Sequence, residues 1–311
     1  VTSIAFVTKS YEPDRARCEL LCRSIELLAP GAHHWIIVDA RDLPAFRSLE
    51  GPSTRVVTTE ELLPRRVWKL ELHGLGIDKN IWLGRGTRPM RGWLVQQLAK
   101  LGISRVADED ILIHADSDVV LIRRFDADLL QGEGQSFPLF RILAAIDERL
   151  PTHVRWHRTA ERLLGLERRP LPLPDYINGL VPWRREVVRA LLDEIASRSR
   201  RDWLQTLASA WEVSEYILYG RFVDDLLGKT SGSAPTCPSL CHTLWSSSPI
   251  TNSALEEFID GSAPSEIAVC IQSNAGMDPA SYVEVLERRW REAAFEGPRV
   301  QLLPRGEVSD S

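Results

Sequence analysis

The chain has 311 residues, 44% of them hydrophobic and 26% charged, enough to bury a large core. A net charge of −5 provides no broad basic field, which argues against a nucleic-acid partner. No apolar run approaches the roughly 20 residues that cross a bilayer, and the opening residues lack the layout of a signal peptide, so the expectation is a cytoplasmic protein without a transmembrane segment.

Ser3–Thr8 reads as a first strand, Lys9–Asp14 as a loop and helix cap, and Arg15–Leu28 as an amphipathic helix. Cys18 and Cys22 lie on the apolar stripe of that helix with Leu21, Ile25 and Leu28, where free cysteine behaves as a small hydrophobe. A zinc site would need them to meet Cys237 and Cys241, the latter followed by His242. The odd total of five cysteines argues against a disulfide framework. His34–Val38 reads as the second strand, ending at Asp39. This alternation of apolar runs and amphipathic stretches predicts β-α-β units and a mostly parallel sheet.

A Trp/Arg/Gly-rich segment over 60–101 contains Trp68-Lys69 and Gly84-Arg-Gly-Thr-Arg88, and closes on a predicted helix, Gly92–Leu101, that presents Gln96, Gln97 and Lys100. The apolar run Asp110–Ile122 follows as a strand carrying Asp116 and Asp118. After Phe137–Ile146 and a basic stretch through Arg169, Pro170–Pro174 reads as an extended connector, and Asn178-Gly179 as a turn. Arg185–Ser197 and Asp202–Tyr219 are predicted helices, Lys229–Cys241 a loop, Ile267–Gln272 a last strand and Pro279–Ala294 a last helix. A single domain over 1–300 with a flexible tail at 301–311 is expected.

The chemistry concentrates at Asp116-Ser117-Asp118. Side chains of a strand alternate, so the two carboxylates are expected on one side, where two hard oxygen donors converge on a cation such as Mg²⁺. Ligands of open α/β sheets gather beyond the carboxyl ends of strands, which puts Thr8, Lys9, Asp39 and Asp116 on one edge.

The polar exit Thr8-Lys-Ser-Tyr11, the D-x-D motif, Asn178-Gly179 and Ser214-Glu-Tyr-Ile-Leu-Tyr-Gly220 together resemble a GT-A glycosyltransferase, and more loosely an uncharacterised bacterial GT-A-like family. The resemblance implies an α/β, GT-A-like (Rossmann-like), mostly parallel sheet flanked by helices, with a donor-binding half over about 1–125 and an acceptor half over about 126–300. It implies transfer of a sugar from a UDP- or GDP-sugar to a hydroxyl or amine of a small molecule or glycan, assisted by Mg²⁺ or Mn²⁺. Asp118 would bind the metal directly and Asp116 the ribose or a metal-bound water. A late loop often adds a histidine ligand; here Gln272 or Asn274 offers a neutral oxygen, and His242 lies in the preceding loop. Thr8, Lys9, Tyr11, Asp39, Lys100 and Asn178 are the donor-binding candidates. Lys100, with Lys9, Lys69 and Arg88 behind it, is the cation expected to meet the charge that builds on the leaving diphosphate. Glu215 is the candidate base of an inverting reaction, ahead of Asp224-Asp225. Trp82 and Trp93 are the possible sugar platforms, most of the tryptophans, with Trp35, Trp203, Trp211 and Trp290 among them, being assigned to packing. Acceptor contacts are expected in 141–169 and 229–250.

Two rivals use the same residues. A haloacid-dehalogenase-type phosphatase would make Asp116 the nucleophile and Asp118 the acid/base, but needs a lysine between its acidic motifs, and the chain has none between Lys100 and Lys229. A non-catalytic GT-A-like protein would bind nucleotide or glycan without turnover. A nucleotidyltransferase is argued against by the absence of glycine from Lys9–Asp14.

Overall fold

The first strand, β1 (Ile4–Lys9), is buried along its whole length, as a parallel strand covered on both faces must be. The computed structural model describes residues 2–63, 67–74, 77–125, 127–130, 136–236, 239–246 and 248–295. Cys237 and the tail 301–311 lie outside these residues. After β1 come α1 (Arg15–Leu28), β2 (His33–Val38), α2 (Leu43–Phe46), β3 (Thr54–Thr58) and α3 (Thr59–Leu62), whose start is fixed by a capping box between Thr58 and Glu61. An antiparallel unit of β4 (Trp68–Gly74), β5 (Ile77–Leu83) and β6 (Met90–Arg91) leads into α4 (Gly92–Gly102). β7 (Ile111–Ala115), β8 (Val119–Leu121), β9 (Phe137–Phe140), β10 (Ile142–Ile146), α5 (Pro151–Leu164), β11 (Leu173–Asp175) and β12 (Leu180–Arg184) follow. The remainder is α6 (Arg185–Ser199), α7 (Trp203–Ala208), α8 (Glu215–Arg221), a π-helical turn Phe222–Leu227, β13 (Ser233–Thr236), β14 (Cys241–Leu244), α9 (Asn252–Asp260), β15 (Ala268–Ile271) and α10 (Pro279–Phe295).

The expected α/β class, with a mostly parallel sheet flanked by helices, is what the chain adopts. The central sheet has the order β12-β7-β1-β2-β3, parallel except for β12. Strand alternation distributes the core. Ile4 and Phe6 of β1 join a cluster with Leu21 and Ile25 of α1 and Leu286 of α10, while Ala5 and Val7 face Ala99 of α4 and Ile103. Helices therefore cover both faces. Connections leave β1 in opposite directions, to β2 on one side and to β7 on the other, so the chain has a topological switch point between β1 and β7.

Three expectations need correction. The acidic strand does not run to Ile122: β7 ends at Ala115, Asp116-Ser117-Asp118 forms a turn closed by Val119 N donating to Asp116 O (3.1 Å), and β8 belongs to a different sheet, β14-β15-β8. Strand alternation consequently does not place the two carboxylates; the turn does. The helix expected over Asp202–Tyr219 is two helices, separately capped by Asp202 and Ser214, with Trp211 between them in the left-handed region (φ 61°). Within the Lys229–Cys241 loop, β13 pairs in parallel with β9, a partner about a hundred positions earlier that no local pattern announces.

Candidate active site

A cleft of about 290 Å³ opens at the carboxyl ends of β1 and β7, the switch point of the sheet. Lys9, Tyr11 and Asp14 line it from the β1 exit, Gln96, Gln97 and Lys100 from α4, Asp116, Ser117 and Asp118 from the turn, and Ser214, Glu215 and Tyr216 from the start of α8. Trp93, Trp156 and Ile177 complete it.

Lys100 is its centre. Only 4% of its side chain is exposed, and Nζ donates to Asp116 Oδ1 at 2.8 Å and to the Tyr216 hydroxyl at 3.2 Å, with Glu215 Oε1 at 3.4 Å. Burial works against its charge, but Asp116, Tyr216 and Glu215 outweigh burial and hold its pKa well above the ordinary lysine value. The site therefore contains a buried lysine whose charged form its neighbours favour. Glu215, the expected base, has no exposed surface. Burial pushes its carboxyl up, Lys100 opposes the shift, and the Gln97 amide, oriented with nitrogen toward it, donates to it. In this conformation Glu215, a lining residue of the cleft, is buried and engaged with Lys100 and Gln97.

Asp116 and Asp118 differ sharply. The Asp116 side chain is half exposed and ion-paired. Asp118 Oδ2 accepts from Ser273 N at 3.2 Å, and the Cys270 thiol lies 3.5 Å from Oδ1. Burial, then the charge of Asp116, raise its pKa, and one backbone N–H and a thiol only partly relieve it. Among the described residues no three His, Cys, Asp or Glu side chains cluster to hold a metal. Two adjacent carboxylates, one of them short of positive partners, nevertheless fit a hard divalent cation whose remaining ligands are phosphate oxygens and water. Gln272, the expected third ligand, is half-buried beside Ser273 and does not line the cleft. His242 sits in β14, 3.1 Å from Glu266 and stacked on Phe258, and does not line the cleft.

A second charged group flanks the cleft. Asp39 accepts from Lys9 at 2.8 Å and Lys69 at 2.9 Å; burial alone would raise its pKa, but the two lysines hold it below the usual value. Thr8 is fully buried and bonded to His34 at 2.9 Å, so it meets the β2 histidine and not the cleft. Tyr11 stands exposed at the rim. Asn178 donates to Ser239 Oγ at 2.7 Å and is not among the lining residues, while Arg88 is exposed elsewhere. Trp82, 2% exposed, is a packing residue, contrary to expectation; Trp93, 41% exposed, lines the cleft. Trp211, expected to pack, is 47% exposed with the Arg91 guanidinium over its ring. Asp224 accepts from Arg141 and Tyr176, and Asp225 from Arg169 and Arg221. That pair is consumed by structure and supplies neither a base nor the second acidic motif of a phosphatase.

Sequence reasoning overlooked Gln97 as a partner of Glu215, Cys270 beside Asp118, and Trp156. Only Trp156 left a usable signal: Val154, His157, Ala160 and Leu164 recur at helical spacing around it, although the arginines obscure the pattern.

The model of a family of unknown function, DUF6492, matches residues 1–293. A search of curated proteins found no match. Among solved structures, the chain is similar to the galactosyltransferase LgtC in complex with donor and acceptor sugar analogs, at 13% identity and a TM-score of 0.43, over 95% of this chain and 98% of that one. It is also similar to an active-site mutant of LgtC, at 14% identity and a TM-score of 0.42, with the same coverage.

Proposed function

The chain belongs to the DUF6492 family, a family of unknown function, and we propose that it is a glycosyltransferase that moves a sugar from a nucleotide-sugar donor to a hydroxyl or amine acceptor. The observation that carries this reading is the pair Asp116 and Asp118 beside buried Lys100 in a cleft at the sheet's switch point. Such a cleft suits a diphosphate: carboxylates for a cation, and fixed positive charge for the departing group. Mg²⁺ or Mn²⁺ held by Asp116 and Asp118 would neutralise charge on the diphosphate. Lys100 holds Asp116 in place and adds a cation that stays protonated at any physiological pH. Lys9, kept in position by Asp39, adds a second at the β1 exit, with Tyr11 at the rim for the base or ribose. Thr8 orders this exit through His34, and Asn178 and Gln272 stand outside the lining of the cleft. Residues of about 1–125 supply most of the donor side, and about 126–300 most of the acceptor side. Glu215 acts through Lys100 as a positioning residue. An inverting reaction needs a base with an exposed face, and the anomeric configuration of the product decides that point.

Calorimetry and thermal shift with UDP, GDP and their sugar conjugates, with and without Mn²⁺, test the reading on the native chain and on Asp118→Ala. Metal-dependent binding of one nucleotide, lost in the variant, is expected. Absence of nucleotide binding under every condition would sink the assignment.

A further inference from the structure

The cleft has two unlike walls. One is charged, with Lys9, Lys100, Asp116 and Asp118. The other is aromatic: Trp93 and Trp156 lie 5.3 Å apart between ring centroids at an interplanar angle of 15°, and His153 packs on Trp156 at 4.6 Å. The indoles of the aromatic wall carry no charge to set against a phosphate. It is nonetheless a built surface, because the stack fixes the indole planes in orientation while leaving Trp93 41% exposed.

Helix α4 sets the spacing between the walls. Trp93, Gln96, Gln97 and Lys100 are at positions i, i+3, i+4 and i+7, so one face of the helix carries all four into the cleft. Seven residues of helix rise about 10 Å, roughly the length of two pyranose rings placed end to end. With the diphosphate at Lys100 and the transferred sugar beside Gln96 and Gln97, the next ring outward meets the indoles.

We propose that Trp93 and Trp156 form the acceptor subsite and that its ligand is a sugar ring of a glycan or glycoside, stacked by its flat C–H face on the indole. The inference rests on the transferase reading for its assignment as acceptor. An aromatic aglycone shares the stacking chemistry, and the experiment separates the two.

Saturation-transfer NMR is measured on the full chain with UDP and Mn²⁺, using a panel of methyl pyranosides and disaccharides and, separately, phenol and indole. The variants are Trp93→Ala, Trp93→Phe and Trp156→Phe, with UDP affinity followed by calorimetry. The expected result is transfer to ring C–H protons of a pyranoside, reduced about five-fold or more by Trp93→Ala and largely kept by Trp93→Phe, with UDP affinity unchanged. An intact pyranoside signal in Trp93→Ala, no pyranoside signal at all, or stronger transfer to phenol or indole would each overturn the proposal. A loss of UDP affinity in Trp93→Ala would also overturn it, by giving the stack to the donor base. If UDP fails to bind the native chain while pyranosides bind through Trp93, it is the transferase reading that fails and the sugar site that stands.

Discussion

Two buried charge clusters sit within this chain, and they are built to different standards. Behind the cleft, Arg221 is 1% exposed and bonded to Glu161, Asp225 and the Nδ1 of His157, while Arg158 and Arg169 complete the two carboxylates. Every charge there has an opposite partner, and Glu161 is held below its usual pKa despite burial, by Arg158, the Arg169 N–H and Arg221. In the cleft, the cation Lys100 is shared by Asp116 and Glu215, and Asp118 is left with a backbone N–H and a thiol. A saturated network holds a fold together; an unsaturated one is ready for a ligand that supplies the missing charge.

Stability measurements on single variants sharpen that contrast. Arg221→Met should be the costliest, about 3–5 kcal/mol in urea unfolding, because Glu161 and Asp225 lose the buried cation that they share. A loss under 1 kcal/mol would show that the network is not cooperative. Lys100→Met should cost about 3 kcal/mol by leaving Asp116 and Glu215 together, and adding Glu215→Gln should recover ~1–2 kcal/mol. Additive losses in that double mutant would mean the two side chains do not interact.

His157 links the saturated network to pH. Burial, then Arg221, lower its pKa from 6.5 to about 4, so the folded state resists the proton that the unfolded state takes up. Its contribution is constant above pH 6.5 and is lost as pH falls toward 4, reaching ~3 kcal/mol. The expected signature is an acid slope in unfolding free energy over that window that His157→Gln flattens; an unchanged slope would assign it to other groups. Asp118→Asn should have the smallest effect on stability, within about 1 kcal/mol and toward greater stability, since it removes a carboxylate whose ionisation the fold opposes. The same variant should weaken metal-dependent nucleotide binding at least about tenfold. A large loss of stability would reclassify Asp118 as structural.

Much of the first 120 residues was legible because its structure is local. Continuous apolar runs mark β1, β2 and β7, the stripe of Cys18, Leu21, Ile25 and Leu28 marks α1, and Lys100 could be chosen from its place at the end of the helix preceding the acidic run. What stayed hidden depends on distant partners. Asp118 meets Ser273 across 155 positions, and β9 meets β13 across nearly a hundred. Glu215 was read as a candidate base because nothing near it in sequence reports that Lys100 and Gln97 bury it. Trp211 looked like a packing residue because the break that exposes it is set by two caps, not by a proline or glycine.

The turn at Asp116-Ser117-Asp118 joins two separate sheets. Asp116 leaves β7 of the central sheet, and Asp118 is tied to the end of β15 in the other. The gap between the carboxylates is thus a readout of how the two sheets are docked, and an N-terminal fragment that stops before Ser273 lacks the tether that fixes one of them. Loss of the α9–β15 region should abolish ligand capture before it abolishes helical content.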